Sequence, residues 1–99
     1  MENIRTKIIH GALVAFGAKH QTVVAIEEMG EVQHELCKIL RAEGEGDLRH
    51  LAEEIVDARI CLDQMVMAFG LDRYIDHWEG VKLARLSDMT ERRMEATGQ

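Results

Sequence analysis

The sequence contains no proline, only two cysteines and 4% aromatic residues, and its 12 basic residues are outnumbered by 18 acidic ones. A β-sandwich or barrel draws on frequent turn residues and aromatic strands, so these shortages turn the reading toward helices. Cys37 and Cys61 have no CxxC spacing and sit among apolar neighbours, as reduced core thiols do, so no disulfide is expected. A net charge of -6 leaves no broad electropositive surface for phosphate backbones, and nucleic acid is not an expected partner. No apolar run approaches the ~20 residues of a membrane span, and the stretch from Met1 to Lys7 leads into no signal-peptide core. A cytoplasmic protein without membrane contact is expected.

What is present suits a single all-α domain over residues 1–99, with an ordered core over about 16–89 and a polar tail over 90–99 that frays. At 46% hydrophobic residues the chain can build a core, yet a domain of this size buries roughly 65% of its unfolded surface, so self-association is expected. Glycine punctuation divides the chain into four helical segments. The first runs from about Glu2 to Phe16 with Ile4, Ile8, Ile9, Leu13 and Phe16 at helical spacing, and Gly17 breaks it. The second runs from about Lys19 to Arg41, its apolar face carrying Ala25, Met29, Val32, Leu36, Ile39 and Leu40. A loop at Glu43-Gly44-Glu45-Gly46 precedes Asp47, a good N-cap for a third helix that reaches Phe69 and closes at Gly70. The fourth starts near Asp72, carries Tyr74, Ile75, Trp78, Val81, Leu86 and Met89, and fades from Thr90. Short connections imply antiparallel neighbours, hence a bundle of about four helices. The third helix is apolar nearly all round and is expected at the centre, with dimerisation completing its cover.

Acidic residues interrupt this pattern. On a wheel of ~100° per residue Glu54 falls between Cys61 and Met65, and Asp57 falls beside Gln64 and Ala68. Arg59 and Asp63, by contrast, are placed to pair on an outer sector of the same helix. In the second helix Glu28 and Glu31 sit at the edge of the apolar arc. Counted from the ends of an antiparallel hairpin, the two acidic pairs lie within ~3 residues of level, or ~4.5 Å, so four carboxylates can converge. Two like charges ~5 Å apart repel by roughly 3 kcal/mol at an effective dielectric near 20. Three neutralising devices are open: raised pKa values with shared protons, ion pairs with Lys38, Arg41, Lys82 or Arg85, or divalent cations held by oxygen. An oxygen-only set suits Mg²⁺ or Mn²⁺ and does not suit zinc, and no EF-hand loop is present.

The run Glu27-Glu28-Met29-Gly30-Glu31, followed after 22 residues by Glu54-Ile55-Val56-Asp57, resembles the EExxE and ExxD signature of the MazG-like, all-α nucleoside triphosphate pyrophosphohydrolases. Flanking runs extend the likeness over about Phe16 to Leu86: Phe16-Gly17 to Gln21, Glu35 to Arg41, His50-Leu51-Ala52-Glu53, and Trp78 with Lys82 to Leu86. The resemblance implies Mg²⁺-dependent cleavage of an NTP or dNTP between its α- and β-phosphates, giving a monophosphate and pyrophosphate, in a homodimer or a dimer of dimers. It implies Glu28, Glu31, Glu54 and Asp57 as metal ligands, with Glu27 as a further acid of the motif. Lys38, Arg41, Lys82 and Arg85 are candidate phosphate contacts, although for each taken singly a helix-surface salt bridge is the favoured explanation. Tyr74 and Trp78 could stack on a nucleobase, but their spacing with Ile75 and Val81 favours core packing. Two other readings stay open: a di-metal carboxylate bundle, for which Glu31 and His34 form a single ExxH pair where two are needed, and a non-catalytic nucleotide-binding or adaptor protein.

Overall fold

The computed structural model describes residues 3–41 and 47–98, and all regular structure among them is α-helical. The order is α1 (Ile4–Phe16), α2 (Ala18–Arg41), α3 (Leu48–Phe69) and α4 (Asp72–Thr97). The readings made for Met1, Glu2, the loop at Glu43 to Gly46 and Gln99 lie outside the described residues.

Local chemistry accounts for the helix ends. The Asn3 side chain accepts from the Thr6 amide at 2.8 Å, and Asp47 accepts from the amides of Arg49 and His50, so both helix starts have a capped N-terminus. Gly17, at φ 90°, is the only residue between α1 and α2, and Gly70, at φ 63°, closes α3 in the left-handed region where a side chain would be strained. The fourth helix runs on to Thr97, past the point where its apolar stripe ends. Its last turns carry good helix formers (Glu91, Arg92, Arg93, Met94, Glu95, Ala96), and an Arg92–Asp88 pair at 3.0 Å spans one turn.

The framework is the antiparallel α2/α3 hairpin. Residues of α2 meet α3 in descending order: Gln21 with Gln64, Glu28 with Asp57 and Glu35 with His50. Each step is seven residues, or ~10.5 Å along the axis. Between these layers lie Ala25 and Val32 on α2 and Glu54 and Cys61 on α3, and Ile39 and Ala68 continue the seam beyond its two ends, all buried or partly buried. The seam thus follows the alternating four-and-three spacing of a coiled coil, with polar layers set into it. Gln21 Nε2 donates to Gln64 Oε1 at 2.8 Å, and Gln64 Nε2 donates to the Ile9 carbonyl at 3.3 Å, which ties α1 to the hairpin. An Arg5–Asp63 ion pair at 2.8 Å adds a second tie from α1 to α3.

Several packing expectations are corrected. Asp63 is paired with Arg5 of α1 rather than with Arg59. Cys37 is exposed while Cys61 is buried, and both are free thiols. Met29, Leu36 and Leu40 are exposed, because the buried stripe of α2 runs through Gln21, Glu28 and Glu35 instead. Within one chain α3 is not covered all round: Val56 and Phe69 are at least half exposed. No residue of α4 is buried, and Tyr74 and Trp78 are exposed rather than packed in a core. Helical spacing shows that residues share a face, not that something covers it.

Gln64 is 2% exposed and joins three helices through one amide. Replacing it with leucine leaves the Gln21 amide and the Ile9 carbonyl without their partner, and a loss of about 1–3 kcal/mol is expected. Urea unfolding measures it, and an unchanged midpoint would show that this amide does not hold the hairpin.

Candidate functional site

One heptad step along the seam from the glutamine layer, Glu28 of α2 faces Glu54 and Asp57 of α3. One carboxylate oxygen from each of the three lies within 4.8 Å of the others, and all three residues are partly buried. Glu54 and Asp57 are one turn apart on a single helix face, and the antiparallel register brings Glu28 level with them. Burial pushes the Glu28 carboxyl above its ordinary value, and the charges of Asp57 and Glu54 push it further, with a side-chain hydrogen bond to Glu54 and the charge of Glu31 adding smaller amounts. The Cys61 thiol, one turn beyond Asp57, is raised by burial and then by Glu28 and Asp57.

A cleft of about 230 Å³ opens beside the cluster, lined by Gln21, Val24, Glu28, Asp57, Ile60, Cys61 and Gln64. One end is therefore acidic and the other presents two carboxamides. The donor set suits a hard, oxygen-seeking cation. An octahedral Mg²⁺ binds oxygen at about 2.0–2.1 Å, which puts neighbouring ligands ~2.9 Å and opposing ones ~4.2 Å apart, so side-chain rotations that draw the three carboxylates together are needed for one ion to be shared.

The remaining candidates are distributed more widely. Glu31 adds its charge to the field at Glu28 but is exposed and stands outside the close trio, since the hairpin register sets Glu28, rather than Glu31, level with Asp57. Glu27 is exposed on α2. His34 is exposed as well and contributes no nitrogen to the cluster. Lys38 pairs with Glu35 at 3.3 Å, not with the carboxylate trio. Arg41 occupies the exposed last turn of α2. The Lys82 ammonium lies 5.8 Å from the Trp78 ring centroid, and Arg85 is exposed farther along α4. Among the described residues, none of these cations forms an ion pair with Glu28, Glu54 or Asp57.

Two residues beside the cluster were not picked out as site residues from the sequence. Glu35 is the most buried ionisable side chain described, at 1% exposure, and its Oε1 is 3.0 Å from His50 Nδ1. The other ring nitrogen of His50, Nε2, is 3.1 Å from Glu54 Oε1. The signal that could have found them is the seven-residue spacing of Gln21, Glu28 and Glu35 mirrored by Gln64, Asp57 and His50. It is hidden when a helix face is located by its apolar residues alone.

Comparison with known proteins finds no family model, no curated protein and no solved structure that matches this chain.

The raised Glu28 carboxyl makes a prediction about stability in the absence of divalent cations. An acid whose folded pKa lies above its unfolded one stabilises the fold fully below the unfolded value, near 4.5, and that contribution is lost as pH rises through the raised folded value. Glu28→Gln should therefore unfold at higher urea concentration than the parent at pH 7, with the difference shrinking toward pH 4.5. Equal midpoints across that range would mean that the three carboxylates do not strain the hairpin.

Proposed function

We propose that this chain is a Mg²⁺-dependent nucleoside triphosphate pyrophosphohydrolase of the MazG-like kind, cleaving an NTP or dNTP between the α- and β-phosphates. The convergence of Glu28, Glu54 and Asp57 across the α2/α3 hairpin carries this reading. His50 meets only the Glu54 end of the cluster, at 3.1 Å, and among the described residues no Lys or Arg is paired with Glu28 or Asp57, so protonation or a cation is the compensating device left for them, and the oxygen-only donor set suits Mg²⁺ or Mn²⁺. The EExxE and ExxD spacing supplies the substrate class.

In this reading Glu28, Glu54 and Asp57 hold the cation and Glu31, on the solvent side of Glu28, completes its acidic surround. The bound cation supplies charge screening for the triphosphate and acidifies a water molecule. The fixed helix backbones hold the carboxylates in place before substrate arrives. Water would add at the α- or β-phosphorus and give up a proton to solvent as the α–β bridging P–O bond breaks, and the monophosphate and pyrophosphate would leave. Lys38, Arg41, Lys82 and Arg85 are the basic side chains proposed for phosphate oxygens once substrate is bound, and Lys38 and Arg41 would have to exchange their present partners.

The active form is a homodimer or a dimer of dimers. Ile75, Trp78, Leu86 and Met89 along α4 and Met29, Leu36 and Leu40 on α2 are large hydrophobic residues left exposed within one chain, which supports this part of the reading.

Incubation with a panel of NTPs and dNTPs and Mg²⁺ should release pyrophosphate and not orthophosphate. Glu54→Gln and Asp57→Asn should each lower kcat by about 100-fold or more while far-ultraviolet circular dichroism stays helical. Orthophosphate release, or turnover unaffected by these substitutions, would refute the assignment. Nucleotide binding without cleavage would instead favour a non-catalytic binding protein.

A further inference from the structure

We infer that His50 is a positioning residue that fixes Glu54 for cation binding, held in turn by the buried carboxylate of Glu35. The inference rests on the cation-binding reading above and adds residues outside its ligand set.

The geometry is a chain of three side chains across the hairpin. Glu35 comes from α2, while His50 and Glu54 sit one turn apart on α3. Glu35 is 1% exposed, and a carboxylate so far from water needs strong partners. It has two: Lys38 at 3.3 Å and His50 Nδ1 at 3.0 Å, both on the same oxygen, Oε1. With Nδ1 held, the imidazole plane has little freedom left, and Nε2 comes to rest 3.1 Å from Glu54 Oε1. Glu54 also presents a carboxylate oxygen to the cluster with Glu28 and Asp57.

Two alternatives explain less. Were His50 only a helix-surface partner of Glu54 at i and i+4, nothing would require Glu35 to be buried behind it. Were Glu35 only a partner for Lys38, an exposed i,i+3 pair would serve, and the desolvation of Glu35 would remain unexplained. A relay that restricts Glu54 accounts for the burial, for the use of both ring nitrogens and for the placement of the relay one heptad from the Glu28–Asp57 layer. Groups that orient a ligand from behind are worth about 10–100-fold in metal affinity.

The experiment measures Mn²⁺ binding to the full chain without nucleotide, by titration calorimetry and by electron paramagnetic resonance of free Mn²⁺, with thermal unfolding in chelator alongside. His50→Asn keeps a donor near the Nδ1 position and loses the reach to Glu54. His50→Gln keeps a donor near the Nε2 position and loses the anchor on Glu35. Both should weaken Mn²⁺ binding by about 10-fold or more. His50 is only partly buried, so both variants are expected to fold, and Glu35→Gln, which keeps the side-chain shape, should weaken binding in the same direction. Variants that bind Mn²⁺ as tightly as the parent overturn the positioning role while leaving the cation site standing. A loss of affinity in proportion to a loss of thermal stability assigns His50 and Glu35 to folding alone and overturns it too. A parent chain that binds no Mn²⁺ overturns the cation reading and this inference with it.

Discussion

Carboxylates brought within 4.8 Å of one another across two packed helices repel by roughly 3 kcal/mol per ionised pair at an effective dielectric near 20, and the α2/α3 hairpin has to accommodate that repulsion. It does so at the middle of the seam, where the helices are least free to splay. The layers on either side act as clamps. Gln21 and Gln64 join the hairpin on one side and reach the backbone of α1, and Glu35 and His50 join it on the other. A repulsive layer held between two satisfied ones keeps the three carboxylates from splaying, which is the rigidity that the proposed cation site would need.

The same arrangement explains the small apolar core. Ile9, Ala25, Ala58 and Cys61 are the buried hydrophobic residues described, and Gln21, Glu35 and Gln64 are buried alongside them. Every buried side-chain nitrogen and oxygen among the described residues has a hydrogen-bond partner, so the polar layers specify register without leaving orphaned groups. Slipping the hairpin by one turn would set glutamine and carboxylate layers against apolar ones, which is a penalty that a uniformly apolar seam would not impose. Polar layers therefore fix which carboxylates meet. Among the described residues, no helix is long and apolar enough to cross a membrane, and the exposed hydrophobic residues of α4 lie on a helix rich in charge.

Local signals made the helices legible. Asp47 and Gly70 mark the ends of α3 because capping and a left-handed turn depend on one or two residues each, and Gly17 marks the break between α1 and α2 for the same reason. The acids were partly legible as well: Glu54 and Asp57 stood out by interrupting an apolar arc and Glu28 and Glu31 by sitting at the edge of another, and the structure gathers Glu28, Glu54 and Asp57. The two acidic pairs were expected within ~3 residues of level, and counting from helix ends does not resolve that difference of about one turn: Glu28 meets Asp57, and Glu31 stands outside the trio. Glu35 escaped notice because it follows the polar pair Gln33 and His34, and burial of such a residue depends on His50 of the facing helix. Trp78 and Tyr74 show the opposite error, since a helical stripe says nothing about whether a partner lies on it within the same chain.

The central claim is that Glu28, Glu54 and Asp57 converge in order to share a divalent cation. Crystals grown with Mn²⁺ and measured at a wavelength near its absorption edge test this directly. An anomalous peak bounded by oxygens of these three residues is the expected result. A map with no peak there, or with the three carboxylates turned apart into solvent while Mn²⁺ sits elsewhere on the chain, would contradict it.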